Sequence, residues 1–117
     1  MDLPVEEIRR PSTLDEALEV FSDEPTLLPI AGGTYLSVPL RAGMHSRNRL
    51  LDLSAVIPQS ISNDAGRLRI GAGATMDAIA ASEAVRAICP ALSEAARQVG
   101  AWPIQCRATL GGNLANA

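Results

Sequence analysis

Apolar and polar residues alternate with two different periods along this chain, and each period predicts one type of element. Over residues 12–21 the apolar positions recur three or four residues apart, which predicts an amphipathic helix capped by Ser12. The apolar run 26–31 ends at two glycines and predicts a buried strand followed by a tight turn. Thr34 is expected to cap a short helix that Pro39 breaks.

The middle of the chain changes to the period of strands. Residues 49–53 predict one strand, and the alternation over residues 60–73, interrupted by a turn at 63–66, predicts a hairpin. We therefore expect an α+β chain with two lobes. Residues 1–50 form a small α/β lobe, and residues 51–117 form part of a second lobe that combines an antiparallel sheet with helices.

Helices dominate the rest of the second lobe. Hydroxyl residues precede two short apolar segments, and a proline opens a third. The three predicted helices are Met76–Ala81, Glu83–Ile88 and 90–99. We expect Thr75 and Ser82 to cap the first two and Gly100 to end the third. The last ten residues, with two adjacent glycines, have the chemistry of a loop.

Composition excludes several classes of function. The 117 residues are 47% apolar, but no apolar stretch reaches the roughly 20 residues that span a bilayer, and the start lacks signal-peptide features, so we expect a cytoplasmic protein. A net charge of −3 and 3% aromatic residues argue against nucleic-acid binding. All basic residues are arginine, which rules out Schiff-base and P-loop lysine chemistry within these residues.

Residues for metal binding or nucleophilic catalysis are equally scarce. One histidine gives little basis for a Ser-His-Asp triad or a multi-histidine metal site, and we expect the two cysteines, Cys89 and Cys106, to be free. The carboxylates of residues 15–24 are interpreted as a solvated helix face, and Asp52 as a hydrogen-bonding partner of a neighbouring loop. We predict no catalytic side chain and no metal site, so that any activity depends on a bound cofactor.

Two glycine pairs are the candidate binding segments. Gly32 and Gly33 follow a predicted strand and precede a threonine, while Gly111 and Gly112 lie between a threonine and an asparagine. Such segments can present backbone N–H groups to an anion, although an isolated Gly-Gly pair more often makes only a tight turn. A third glycine loop, at 70–75, matches only half of the dinucleotide fingerprint of Rossmann folds, because position 76 is methionine rather than glycine.

The order of these segments resembles that in the FAD-binding subunits of molybdenum hydroxylases, the family of xanthine dehydrogenase and carbon monoxide dehydrogenase. The resemblance rests on AGGTYL at 31–36, LDLS at 51–54, LRIGAGAT at 68–75 and RATLGGNL at 107–114. It implies the two-lobed FAD-binding fold of the vanillyl-alcohol oxidase (PCMH) type, truncated here, with FAD held between the lobes. By resemblance the chain is the N-terminal portion of such a subunit and stops inside its own binding loop.

The resemblance also implies the residues that contact FAD. The first glycine segment would line the diphosphate with its N–H groups, the second would meet the diphosphate and ribityl chain, and Gly100 would lie near the flavin. The implied contacts are Ala31, Gly32, Gly33, Thr34, Tyr35, Leu36, Gly100, Thr109, Gly111, Gly112 and Asn113. The family usually has histidine, serine or aspartate where Tyr35 stands.

The function implied is that of an oxidoreductase subunit. Electrons would pass from molybdopterin and two [2Fe–2S] clusters on partner chains, the molybdenum-binding large subunit and the iron–sulfur small subunit, through FAD to NAD or another acceptor. The isolated fragment is expected to be inactive. A different function stays open: a structural or interaction module that folds without binding flavin.

Overall fold

The chain divides into two compact units in the computed structural model, which describes residues 3–117. The first unit ends at Ile57 and the second spans Pro58–Ala117. The sequence placed the boundary after residue 50. The structure places it later because the strand Arg49–Asp52 lies in the sheet of the first unit, paired on both sides.

A three-stranded parallel sheet organises the first unit. Its elements are β1 (Glu7–Arg9), α1 (Leu14–Asp23), β2 (Leu28–Ile30), α2 (Ser37–Arg41) and β3 (Arg49–Asp52). The strand order is β1-β3-β2, so β3 is central, and its Leu50 and Leu51 are buried. Pro29 is tolerated because β2 lies at an edge, where one side of its backbone needs no ladder partner.

Helix α1 begins one residue later than the sequence indicated. Thr13, rather than Ser12, is the N-cap: its hydroxyl oxygen accepts the N–H of Glu16 at 3.1 Å. Ser12 contributes only its backbone N–H, which donates to the Glu16 carboxylate at 2.7 Å. Because the side chains of Thr13 and Glu16 both satisfy backbone donors, the helix start is a variant of the capping box.

Helix α2 also differs from the prediction. Thr34 does not cap it, since the helix starts after Leu36 and has no side-chain cap. Pro39 does not break it either, because it occupies the third helical position, where a backbone N–H has no acceptor within the helix.

The second unit packs short helices against a hairpin. Its elements are β4 (Ile61–Asp64), β5 (Arg67–Ile70), α3 (Met76–Ala81), α4 (Glu83–Ile88), α5 (Pro90–Arg97), α6 (Trp102–Gln105) and α7 (Leu110–Asn116). The predicted hairpin is confirmed: β4 and β5 pair antiparallel across a two-residue turn. Ala65 and Gly66 both have positive φ, 49° and 82°, as a type I′ turn requires.

The predicted caps of α3 and α4 are confirmed. The hydroxyl oxygens of Thr75 and Ser82 accept N–H groups from the first turns of their helices. The core of this unit lies between the hairpin and helices α3 to α5. Its buried members are Ala74, Met76, Ile79, Ala80, Val85, Ala96 and Ala108.

The last residues of the chain form a helix rather than the predicted loop. Helix α7 starts at Leu110 with Thr109 as its N-cap, so both glycines of the second pair lie in its first turn.

Across residues 3–117, no helix has the length and apolar content that a membrane span needs. Cys89 and Cys106 are both free, as predicted.

Candidate functional site

The first glycine pair forms a turn between strand β2 and helix α2. Gly33 adopts φ +71°, a left-handed conformation that favours glycine. A Cβ added there would lie 3.3 Å from Cδ1 of Ile30, so both the conformation and the space disfavour a side chain. The carbonyl of Gly33 accepts the N–H of Ser37 at 3.0 Å, which ties the turn to the first residue of α2.

This turn presents a run of backbone donors. In the described part of the chain, no acceptor is found for the N–H groups of Gly33, Thr34, Tyr35 and Leu36. Gly32 differs, since it has an interaction partner in the structure. These four consecutive N–H groups, here called the cradle, are available to an anion, because partly buried donors require a partner.

The segment that forms this cradle carries no positive side chain. Residues 31–36 contain no arginine or histidine, so what this segment itself offers to an anion is its backbone dipoles. Tyr35 is 59% exposed and supplies an aromatic ring beside the donors. The first predicted segment therefore has the donor set that a phosphate group requires.

The second glycine pair has a different hydrogen-bond pattern. The N–H of Gly111 donates to the carbonyl of Ala72 at 2.7 Å, and the N–H of Gly112 donates to the hydroxyl oxygen of Thr109 at 3.0 Å. The neighbouring donors, on Leu110 and Asn113, also have backbone acceptors within the same unit. These N–H groups are already engaged, unlike those of the first pair. The exposed side chain of Asn113 is the polar group that this segment offers to a ligand.

Gly100 lies in the bend between α5 and α6. Its φ is +57°, and a Cβ added there would approach the side chain of Ile104 to 3.1 Å. Its carbonyl accepts a hydrogen bond from the side-chain amide of Gln105 at 3.4 Å. Gly100 thus has a structural reason to be glycine, independent of any ligand.

The predicted site residues fall into two groups, one in each unit. The first unit holds the contiguous segment 31–36, and the second holds Gly100 together with the residues of the first turn of α7. Among residues 3–117, no group of three or more histidine, cysteine or acidic side chains is arranged to hold a metal ion.

Sequence reasoning missed an ion-pair network in the first unit. Arg49 on β3 lies 2.6 Å from the carboxylates of both Glu7 and Glu24, and Arg9 lies 2.5 Å from Glu7 and 2.6 Å from Glu24. Hydrogen bonds from Arg49 and then Arg9 hold the pKa of Glu7 below its usual value. The sequence did contain a sign of this network: Glu7 and Arg9 have opposite charges, and residues two apart share one face of a strand.

Asp52 has the role that its position predicts. It follows the buried core of β3, and its carboxylate accepts hydrogen bonds from the hydroxyl of Ser54 at 2.6 Å and from the Ser54 N–H at 3.0 Å. Burial disfavours ionisation, but the Ser54 bonds and the nearby Arg10 outweigh it and lower the pKa of Asp52. Asp52 is therefore a structural carboxylate of the turn that follows β3.

Comparison with known families gives one match that covers nearly the whole chain. Residues 4–117 match the family described as "FAD binding domain in molybdopterin dehydrogenase".

Two curated relatives are similar over most of this chain. The caffeine dehydrogenase subunit beta of Pseudomonas sp. (strain CBB1) is 32% identical over 112 residues, and the xanthine dehydrogenase FAD-binding subunit of Escherichia coli O157:H7 is 29% identical over 110 residues. Each alignment covers 92% of this chain. The chain spans 37% of the length of each relative.

Solved structures show the same fold. Quinoline 2-oxidoreductase from Pseudomonas putida 86 superposes with a TM-score of 0.91 at 33% identity, over 100% of this chain and 41% of that chain. Carbon monoxide dehydrogenase from Hydrogenophaga pseudoflava superposes with a TM-score of 0.90 at 25% identity, over 98% of this chain and 41% of that chain.

Proposed function

This chain belongs to the family of FAD-binding domains of molybdopterin dehydrogenases, and we propose that it binds FAD through the diphosphate, as part of a molybdopterin-dependent dehydrogenase. Membership of this family agrees with the resemblance of its glycine segments, and the α+β fold agrees with the prediction from its elements. The relatives that it matches are oxidoreductase subunits by name.

The observation that carries this proposal is the run of open donors from Gly33 to Leu36. A diphosphate is doubly charged and presents several acceptor oxygens, so it can accept from consecutive N–H groups without a lysine or arginine. Ala31 and Gly32 lead the chain from β2 into this turn, and Tyr35 lies beside it. When bound, FAD supplies the redox chemistry; the residues of this chain bind and orient it.

The second segment is proposed to contribute in another way. Because the N–H groups of Gly111 and Gly112 are engaged within the unit, a contact from this segment is made by side chains, with Asn113 the exposed one. Gly112 is exposed and lacks a side chain, which allows a flat group to approach the backbone closely. Thr109 and Gly100 are proposed to act near the ribityl chain and the flavin.

The proposed role in the complex extends the family description, which names a molybdopterin dehydrogenase, and takes its further partners from the resemblance of the glycine segments. We propose that FAD on this chain accepts electrons that leave molybdenum and iron–sulfur centres on two partner chains, and that NAD or another acceptor then takes them. The partners are a molybdenum-binding large subunit and an iron–sulfur small subunit. In this scheme the backbone N–H groups of residues 33–36 hold the phosphates of FAD, and the side chains of residues 3–117 transfer no proton.

A calorimetric titration with four ligands tests the proposal. FAD and ADP share a diphosphate, whereas FMN has a single phosphate and riboflavin has none. If the diphosphate is recognised, FAD binds, ADP competes with it, and FMN and riboflavin bind at least about tenfold more weakly, which corresponds to about 1.4 kcal/mol. A chain that binds none of the four contradicts the proposal and supports the alternative of a structural or interaction module.

A further inference from the structure

We propose that residues 108–111 form a backbone latch that fastens the start of α7 to the loop after β5, and that the N–H of Gly111 serves this latch and does not contact FAD. The inference rests on the proposed function in one respect, since FAD is taken as the ligand. It assigns different roles to two glycine pairs that look alike in the sequence.

Three backbone hydrogen bonds make up the latch. They run between residues 108–111 and residues 72–76, and a β-bridge pairs Thr75 with Thr109 in antiparallel fashion. The three bonds are Met76 N–H to Ala108 C=O at 2.9 Å, Leu110 N–H to Ala74 C=O at 2.9 Å, and Gly111 N–H to Ala72 C=O at 2.7 Å. Two segments more than 30 residues apart in the sequence are therefore joined as in a short sheet.

The latch explains why position 111 is glycine. A Cβ built on Gly111 would lie 3.0 Å from both Cβ and the carbonyl oxygen of Ala72. The carbonyl oxygen belongs to the backbone, so it cannot move aside as the tip of a side chain can. A side chain at position 111 would push α7 away from Ala72 and lengthen the hydrogen bond between the two residues.

Each threonine of the bridge caps the helix that follows it. The hydroxyl oxygen of Thr75 accepts the N–H of Ala78 at 3.2 Å, and that of Thr109 accepts the N–H of Gly112 at 3.0 Å. Helices α3 and α7 thus start from the same bridge, and the first donors of α7 after Thr109 are satisfied by protein acceptors. This arrangement is complete without a ligand.

The two glycine pairs should consequently respond differently to FAD. Donors without an internal acceptor change their environment when an anion binds, whereas donors in a latch keep the same acceptor. The clearest comparison is between the amides of Gly33–Leu36 and the amides of Leu110–Gly112, followed residue by residue in one sample.

The test is amide NMR and hydrogen exchange on the ¹⁵N-labelled chain, without ligand and with saturating FAD. We expect the Leu110 and Gly111 amides to exchange slowly in both samples, and those of Gly33, Thr34, Tyr35 and Leu36 to become protected only with FAD. A Gly111 amide that exchanges fast without ligand and becomes protected with FAD would overturn the latch. If FAD does not bind at all, the proposed function fails, but slow exchange at Gly111 still supports the latch.

A variant pair provides an independent measurement. Gly111→Ala should speed the exchange of the Leu110 and Met76 amides by about tenfold or more, because local opening becomes easier. Leu114→Ala is the matched control: it lies in the same helix, is 67% exposed, and should leave those rates unchanged. Unchanged rates in Gly111→Ala would contradict the latch. Should Gly111→Ala fail to fold, the wild-type exchange experiment decides by itself.

Discussion

The guanidinium of Arg49 lies 2.6 Å from the carboxylate of Glu24, and this contact joins the central strand of the first unit to the C-cap residue of helix α1. The same guanidinium contacts Glu7 on β1, and Arg9 contacts both acids from the other side. Two arginines and two glutamates therefore form a closed ring. Networks of this kind hold their geometry better than a single surface pair.

Replacing Arg49 should destabilise the first unit. Arg49→Gln removes the charge that separates Glu7 from Glu24, so the two carboxylates repel each other and Arg9 alone has to neutralise both. We expect a lower melting temperature in thermal unfolding followed by circular dichroism. Arg47→Gln is the control, because the Arg47 side chain makes no ion pair in the described part of the chain. Equal effects of the two variants would show that the ring contributes nothing to stability.

The ring also predicts a dependence of stability on acid. Hydrogen bonds from Arg49 and Arg9 keep the pKa of Glu7 below its usual value of 4.5. A carboxyl group with a lowered pKa in the folded state binds protons more readily when unfolded. Its stabilising effect is therefore complete above the usual value and is lost as the pH falls through the lowered one.

Thermal unfolding as a function of pH checks this sign. Between pH 7 and pH 3 the wild-type melting temperature should fall, and in Glu7→Gln it should start lower and fall less. Parallel curves for the two proteins would mean that Glu7 does not contribute to the acid sensitivity.

The sequence predicted most of the second unit because its elements are local. Thr75, Ser82 and Pro90 start helices through their own chemistry, which does not depend on distant residues. The predicted loop at the end of the chain was wrong for the opposite reason. Two glycines disfavour a helix, yet the hydrogen bonds of Leu110 and Gly111 to residues 72–74 outweigh that preference.

In the candidate site, too, local features could be predicted from the sequence and contacts between distant residues could not. The turn at Gly33 could be predicted from a strand, two glycines and a threonine, since those residue types determine the local backbone. The sequence could not predict which of the two glycine pairs leaves its N–H groups without acceptors. The acceptor of the Gly111 N–H is the carbonyl of Ala72, a residue far away in the sequence. The ring of Arg49 and Glu24 was missed for this reason too: it depends on strand order.

Gly71 should be more sensitive to substitution than another glycine of the same hairpin. A Cβ on Gly71 would lie 2.3 Å from the carbonyl oxygen of Pro58, whereas one on Gly66 would meet no atom within 4 Å. Gly71→Ala should lower the free energy of unfolding by about 3 kcal/mol, as expected for a clash with a backbone atom that cannot move aside. Gly66→Ala, at φ +82°, should cost about 1 kcal/mol from backbone strain alone. Urea titrations of both variants measure the difference in the free energy of unfolding. A smaller loss in Gly71→Ala than in Gly66→Ala would contradict the close approach of Gly71 to the Pro58 backbone.

The identity of the cap of α1 can be tested with two alanine variants. Thr13→Ala removes the hydroxyl oxygen that accepts the Glu16 N–H, so it should lower the free energy of unfolding by about 1 kcal/mol. Ser12→Ala keeps the backbone N–H that Ser12 donates, so it should have little effect. If a urea titration shows that Ser12→Ala loses more free energy of unfolding than Thr13→Ala, Ser12 is the cap.

Gly33 and Gly43 offer a matched pair for the phosphate cradle. Both have a left-handed backbone, with φ +71° and φ +65°, so alanine should cost each of them about 1 kcal/mol of stability. Gly33 carries the first of the open N–H groups, and a Cβ there lies 3.3 Å from Cδ1 of Ile30; at Gly43 the Cβ enters open space. FAD titrations should therefore show binding weakened by about tenfold in Gly33→Ala and unchanged in Gly43→Ala. Because both variants carry the same backbone strain, an equal loss of FAD affinity would place the phosphates elsewhere in the chain.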